Sequence, residues 1–337
     1  MPDGSPDGSG AVPPRPPRVS TGELPSDDDV RATLVDAYER CRGVDAGTVA
    51  DYIPALADTS PALFGLCVAG TRGGLFTVGD ATHEFSIQSV SKPFVFALVC
   101  QAIGHQAARA KLGANNTGLP FNSVMAIELN QNRAMNPMVN AGAIATTSLV
   151  PGATTDDKWQ GIVDGLSAFA GRTLAVDDEV YRSEAGTNLR NEGIAHLLDS
   201  YGWLYFDPDE ATDIYTRQCS IRVSATDLAV MGATLADGGV NPQTGARVID
   251  EEHCAPVLAV MATSGLYERS GDWLFDVGLP GKSGVSGGMV TISPGKGGLG
   301  AFSPPLDAAG NSVRGTLATT YLSAELGLNL FASKPET

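Results

Sequence analysis

The stretch after Lys92, Pro93-Phe94-Val95-Phe96-Ala97-Leu98-Val99, is almost wholly apolar and predicts a helix buried on all sides. Pro93 is tolerated only in a first turn, which sets the helix start near Ser89. Upstream, Val30, Leu34, Tyr38 and Cys41 recur at helical spacing behind Ser26 and the acidic turn Asp27-Asp28-Asp29. That pattern predicts an amphipathic helix ending near Gly43. Leu63 to Ala69 and Leu75 to Val78 flank a glycine-rich turn and predict a hairpin of two buried strands.

From about Gln101 to Asp272 the pattern is mostly helical. One helix there is bounded by a Ser224/Asp227 capping box and by Gly238-Gly239. After Lys282 the period changes again. Met289–Ile292 and Gly298–Phe302 predict strands joined at Ser293-Pro294-Gly295, and a last helix covers roughly Val313 to Leu326. The expectation is therefore an α+β fold. Strands from both ends of the chain form one antiparallel sheet, the first and last helices flank it, and a helical lobe is inserted between. A cleft between the lobes is the expected place for a site.

Composition narrows the picture. The chain has 337 residues, 43% of them hydrophobic, and a formal net charge of −16. So acidic a protein repels phosphate, which argues against nucleic-acid and anionic-membrane partners. Residues 1–24 are rich in Pro, Gly, Ser and Asp and are expected to form a disordered tail, with 25–333 as the folded unit and 334–337 as a short C-terminal tail. The start lacks the apolar core of a signal peptide, and Phe94 to Ile103 is too short to span a bilayer. The five cysteines are scattered and form no metal-binding pairs. The expected location is the cytoplasm, with reduced thiols, and neither a metal nor another cofactor is expected.

Ser89 and Lys92 fall on one face at the start of the apolar helix. This is the Ser-x-x-Lys spacing of serine–lysine acyl enzymes. About one such match arises by chance in a chain this long, and Ser293-Pro294-Gly295-Lys296 is a second, placed in a turn. The alternative reading makes Ser89 a cap and Lys92 a solvated first-turn residue. Lys282-Ser283-Gly284 fits the Lys-Ser/Thr-Gly element of the same enzymes, although a glycine-rich loop with a surface lysine is its plain alternative. Ser-x-Asn and Tyr-x-Asn occur nowhere, which counts against a β-lactam-directed enzyme. Three features are expected to keep Lys92 neutral enough to act as a base: burial, the positive end of its helix, and the like charge of Lys282.

Further segments carry a resemblance. They include Tyr52-Ile53-Pro54-Ala55-Leu56, Ser89-Val90-Ser91-Lys92, Pro120-Phe121-Asn122-Ser123 and Asn136-Pro137-Met138-Val139-Asn140-Ala141-Gly142. Tyr215-Thr216-Arg217-Gln218-Cys219-Ser220, Gly265-Leu266-Tyr267-Glu268-Arg269 and Gly281-Lys282-Ser283-Gly284-Val285-Ser286-Gly287-Gly288 complete it. From about Asp28 to Ser333 the chain resembles the serine-dependent glutaminases. The resemblance implies a β-lactamase/penicillin-binding-protein-like fold and hydrolysis of L-glutamine to L-glutamate and ammonia. It also implies a homodimer or homotetramer. By the same resemblance Ser89 is the nucleophile and Lys92 its base, with Tyr267 and Tyr52 as hydroxyls beside the serine. Substrate-binding positions match Asn140, Glu184, Asn191 and Tyr215. The backbone N–H groups of Ser89 and Val285 match an oxyanion hole, and Lys282 is a supporting cation.

Each of these residues has a plainer reading: Asn140 as a cap, Glu184 and Asn191 as solvated polars, Tyr215 and Tyr267 as packed aromatics. Two other functions stand beside glutaminase, namely a β-lactamase or peptidase of the same fold, and a glutamine sensor without turnover.

Overall fold

The computed structural model describes residues 22–51, 53–129 and 135–333. Tyr52, most of the N-terminal tail and the C-terminal tail 334–337 lie outside them. The chain opens with α1 (Asp27–Cys41), whose N-cap Ser26 Oγ accepts from Asp29 N, and continues through the short α2 (Pro54–Ala57) to β1 (Gly65–Gly70), β2 (Leu75–Gly79) and β3 (Phe85–Ser86). A single 3-10 turn, Gln88–Val90, leads into α3 (Ser91–Ile103).

Then come α4 (His105–Leu112), α5 (Met125–Leu129), α6 (Asn140–Leu149), α7 (Thr155–Ala170), α8 (Asp178–Ala185), α9 (Leu189–Ser200) and α10 (Pro208–Cys219). The two-residue β4 (Arg222–Val223) precedes α11 (Ala225–Ala236) and α12 (Glu251–Ser264). After a 3-10 turn at Tyr267–Arg269 follow α13 (Ser270–Asp276), β5 (Gly281–Ser283), β6 (Gly288–Ser293), β7 (Gly297–Phe302) and α14 (Val313–Glu325).

Five strands form one antiparallel sheet in the order β2-β1-β7-β6-β5. Its centre joins the two ends of the chain, with Val68 opposite Leu299. Alternate strand residues serve two different cores. Leu66, Val68, Leu299 and Ala301 pack with Val30, Leu34, Ala318 and Leu322 of α1 and α14. On the other face Cys67 and Ala69 pack with Ala229, Val230 and Ala233 of α11. Covering on both faces explains why β1, β6 and β7 are buried along their whole length. The approach of α11 is close because β7 is glycine-rich. A Cβ on Gly300 would lie 1.9 Å from the Ala225 carbonyl oxygen.

The expected capping box is present at α11, where Ser224 Oγ accepts from Asp227 N and Asp227 Oδ2 accepts from Ser224 N. The second Ser-x-x-Lys match lies in the β6–β7 turn, where Lys296 Nζ donates to the Gly327 carbonyl.

Three expectations change. The hairpin is not two buried strands, because β2 is a sheet edge and of its residues only Phe76 is buried. The α-helix expected to start near Ser89 starts at Ser91, because the chain first makes the 3-10 turn Gln88–Val90. The last residue assigned to the tail, Leu24, packs against the core beneath α1 and β2. Lys282 stands buried on strand β5, which agrees with the Lys-Ser/Thr-Gly reading and removes its alternative of a surface loop. Among the described residues no helix is long and apolar enough to cross a membrane.

Candidate active site

The short strand β3 pairs with β4, and this pairing brings the chain to Ile87, whose N–H donates to the Ile221 carbonyl. Gln88 then turns the backbone through the left-handed region, and Ser89 emerges in the wall of a cavity of about 610 Å3. Such a conformation is costly for a residue with a side chain and persists only where its surroundings hold it. The cavity is also lined by Asn140, Glu184, Asn191, Tyr215 and Val285. Those five residues come from α6, α8, α9, α10 and the loop after β5, so the fold gathers positions that are nearly 200 residues apart in the chain. Asp51 and Ile53, the neighbours of Tyr52, line it as well.

Lys92, one turn after Ser89, is 1% exposed behind this wall. Its Nζ donates to Asn140 Oδ1 at 2.8 Å and to the Met138 carbonyl at 3.4 Å. The rings of Tyr215 and Phe121 stand 5.9 and 6.0 Å from it. A lysine ammonium only donates, so with Lys92 charged Asn140 turns its oxygen to Lys92 and its NH2 outward. That NH2 reaches Asn191 Oδ1 at 3.0 Å, and Asn191 passes its own NH2 to Asn188 at 2.7 Å. Asn188 donates to Thr216 Oγ1 at 2.6 Å, and Thr216 Oγ1 donates on to the Thr212 carbonyl at 2.9 Å.

On the opposite side Tyr267 also has a positive φ, +56°. Its hydroxyl donates to the Ser283 carbonyl at 3.1 Å, and the Ser89 side chain is the first influence opposing the rise that burial gives its pKa. Lys282 donates to the same Ser283 carbonyl at 2.7 Å, with its Nζ 4.3 Å from the centre of the Tyr267 ring.

Burial dominates the electrostatics. It pulls the Lys92 ammonium down to about 8, against the opposing pull of Cys219 and Glu184. Lys282 is pushed well below the ordinary lysine value by burial first and Lys92 second. The expected push of Lys282 on Lys92 does not figure: Lys92 depresses Lys282, and desolvation is what lowers Lys92. Burial raises Glu184 to about 7, opposed by its hydrogen bond from Gln88 and by Lys92. Burial also raises the Tyr215 and Tyr267 hydroxyls, which keeps both as O–H groups at neutral pH.

Three residues were missed in the sequence. Gln88 Nε2 donates to Glu184 Oε2 at 3.1 Å and thereby fixes that carboxylate. Asn188 and Cys219 line the cavity. Gln88 adjoins the Ser89 motif, Asn188 lies three residues from Asn191 and Cys219 four from Tyr215, so proximity was the available signal. Among the described residues no group of three or more His, Cys, Asp or Glu side chains is placed to hold a metal.

A cavity that sets one serine beside the buried Glu184 carboxylate and a row of neutral amides, with Asp51, Asp307 and Arg190 also in its lining, fits a small zwitterion with a neutral end. Comparison with known proteins agrees. The glutaminase family model matches residues 47–331. Glutaminase 2 of Yersinia pestis is 60% identical over 319 residues, covering 95% of this chain and 94% of the relative. The Brucella canis glutaminase is 51% identical over 309 residues, covering 92% and 98%. Among solved structures, the probable glutaminase ybaS superposes with a TM-score of 0.90 at 45% identity, covering 92% of this chain and all of that one. The Bacillus subtilis glutaminase YbgJ, solved as a covalent complex with 5-oxo-L-norleucine formed from 6-diazo-5-oxo-L-norleucine, gives 0.77 at 29% identity over 90% and 98%. The chain belongs to the glutaminase family and is a glutamine-hydrolysing enzyme.

Proposed function

We propose that hydrolysis runs through a γ-glutamyl ester of Ser89, with Lys92 as the base, on a fold of the β-lactamase type. The observation that carries this is Ser89 itself, exposed to the cavity between a fully buried lysine one turn away and the Tyr267 hydroxyl. Glu184 receives the α-ammonium of glutamine through a charge-assisted bond. Asn140, Asn191 and Tyr215 supply neutral donors for the α-carboxylate, and the side-chain amide lies against Ser89.

Neutral Lys92 takes the Ser89 proton as Oγ attacks the amide carbon. The oxyanion that forms is held by the N–H groups of Ser89 and Val285. Tyr267 gives its proton to the departing nitrogen and is reprotonated from Lys92, so ammonia leaves and Lys92 is neutral again. Water then attacks the ester by the same proton path and releases glutamate. Tyr52, which lies outside the described residues, is assigned the second hydroxyl, and Lys282 supports the Ser283 carbonyl. All five cysteines are free and buried, which supports a reducing compartment, the cytoplasm.

The covalent complex that a relative forms with 5-oxo-L-norleucine supports a covalent route, and the Ser-x-x-Lys geometry supports Ser89 as its nucleophile. The test is peptide mass mapping after treatment with 6-diazo-5-oxo-L-norleucine. The label is expected on Ser89, and Ser89→Ala is expected to fold, to resist labelling and to lose activity. A label elsewhere, or an active Ser89→Ala, would overturn the scheme.

A further inference from the structure

The peptide joining Gln88 to Ser89 carries one of the two N–H donors assigned above to the oxyanion. A trans peptide is planar, so its C=O and N–H point in opposite directions. Whatever holds the Gln88 carbonyl therefore aims the Ser89 N–H. That carbonyl is held twice by Ser91, through its backbone N–H and through its Oγ–H at 2.7 Å.

Ser91 Oγ accepts in turn from Gln218 Nε2 at 2.9 Å, and Gln218 Oε1 accepts from Thr147 Oγ1 at 3.0 Å. Ser91, Gln218 and Thr147 are each at most 1% exposed and none lines the cavity. They join α3, α10 and α6 beneath the turn. The turn they hold is the one with φ +49° at Gln88, a conformation that needs outside support.

We infer that Ser91, Gln218 and Thr147 are positioning residues: they draw the Gln88 carbonyl into the protein and so turn the Ser89 N–H toward the oxyanion. This rests on the acyl-enzyme reading above. None of the three touches substrate, so their removal acts on the transition state and not on glutamine binding. The gain they provide arises only as charge develops on the carbonyl oxygen, which is where a well-aimed donor matters most.

The test uses full-length Ser91→Ala, Gln218→Leu, their double variant and Ser91→Thr. Circular dichroism establishes folding, and kcat, KM and the labelling rate with 6-diazo-5-oxo-L-norleucine are measured for each. Ser91→Ala is expected to lower kcat about tenfold or more while KM stays within about twofold. Labelling should slow in parallel. The double variant should be no slower than the worse single one, because the two act as a unit. Ser91→Thr, which keeps the hydroxyl, should recover most of the loss. A melting temperature that falls while kcat stays within about twofold of the parent would reduce the network to a structural role and overturn the inference. So would a tenfold rise in KM with kcat unchanged. Mass mapping of the parent separates this from the larger scheme: a label on Ser89 upholds the acyl enzyme whatever the variants do, and a label elsewhere removes both.

Discussion

Lys92 Nζ lies 2.8 Å from Asn140 Oδ1, so the proposed base is hydrogen-bonded to a residue proposed to bind the substrate carboxylate. The pair gives a direct handle on the base. Lys92 acts only when neutral and its ammonium titrates at about 8, so kcat/KM should fall as the pH drops below that value. Asn140→Asp would set a carboxylate beside the ammonium and favour the charged form. The acid limb of its pH–rate profile should move to higher pH. Lys92→Arg should be inactive across the range, because arginine stays charged. An unmoved limb in Asn140→Asp would assign it to another group.

Glu184 predicts a second pH effect, on binding. Burial raises its carboxyl to about 7, so acidification through that value removes the charge proposed to meet the α-ammonium. KM for glutamine should rise as pH is lowered from 8 to 6. Glu184→Gln should have a KM roughly tenfold higher or more, without that pH dependence. N-acetylglutamine, which lacks the ammonium, should be a poor substrate of the parent. Equal turnover of the two amides would remove Glu184 from its role.

Lys282 predicts a gain in stability at the cost of activity. Its folded pKa lies well below that of the unfolded chain, because the folded site is dry and near Lys92. At neutral pH the unfolded state holds a proton that the folded state resists, which is a penalty on folding. The penalty fades as pH climbs toward the ordinary lysine value. Lys282→Met should therefore raise the melting temperature at pH 7, and the gap from the parent should narrow by pH 10. Ser283 retains the Tyr267 hydroxyl as a donor in that variant. Thermal scans at the two pH values check the sign, and kcat should fall.

The tail prediction turns on Leu24, which packs close to Gly70, within 3.2 Å of where a Cβ there would lie. Deleting Met1 to Thr21 should leave activity and melting temperature unchanged. Extending the deletion through Leu24 should cost roughly 1 kcal/mol of apolar burial, a fall of about 2 °C. Loss of several degrees on the shorter deletion would show that residues before Gly22 contribute packing of their own.

Much of the fold was legible because it is written locally. The apolar run after Lys92, the Ser224/Asp227 box and the Ser293-Pro294-Gly295 turn each depend on neighbours in sequence. The β3–β4 pair was not legible, since two residues carry no period. Nor was the edge position of β2, because alternation does not say whether a further strand lies beyond. In the site, Ser89 and Lys92 share a helical turn and could be paired from spacing. Gln88 with Glu184, Ser91 with Gln218 and Asn140 with Asn191 are joined only by the finished fold. The positive φ at Gln88 has no marker either, since glutamine is not a residue that announces a left-handed turn.

The pairing of β1 with β7 sets an order on synthesis. Ala69 has its partner in Gly298, which leaves the ribosome roughly 230 residues later, tens of seconds at ordinary translation speed. Through that interval one edge of β1 has no strand to bond, and the glycine surface that receives α11 does not yet exist. The helices that carry Lys92, Asn140 and Tyr215 can collapse together early, from nearby sequence. The serine they surround acquires its opposite wall, Val285 on the loop between β5 and β6, only when the last fifth of the chain arrives. A nascent chain stalled before β5 would hold Ser89 and Lys92 but lack Val285, so on the proposed scheme it would be catalytically silent until the sheet closed.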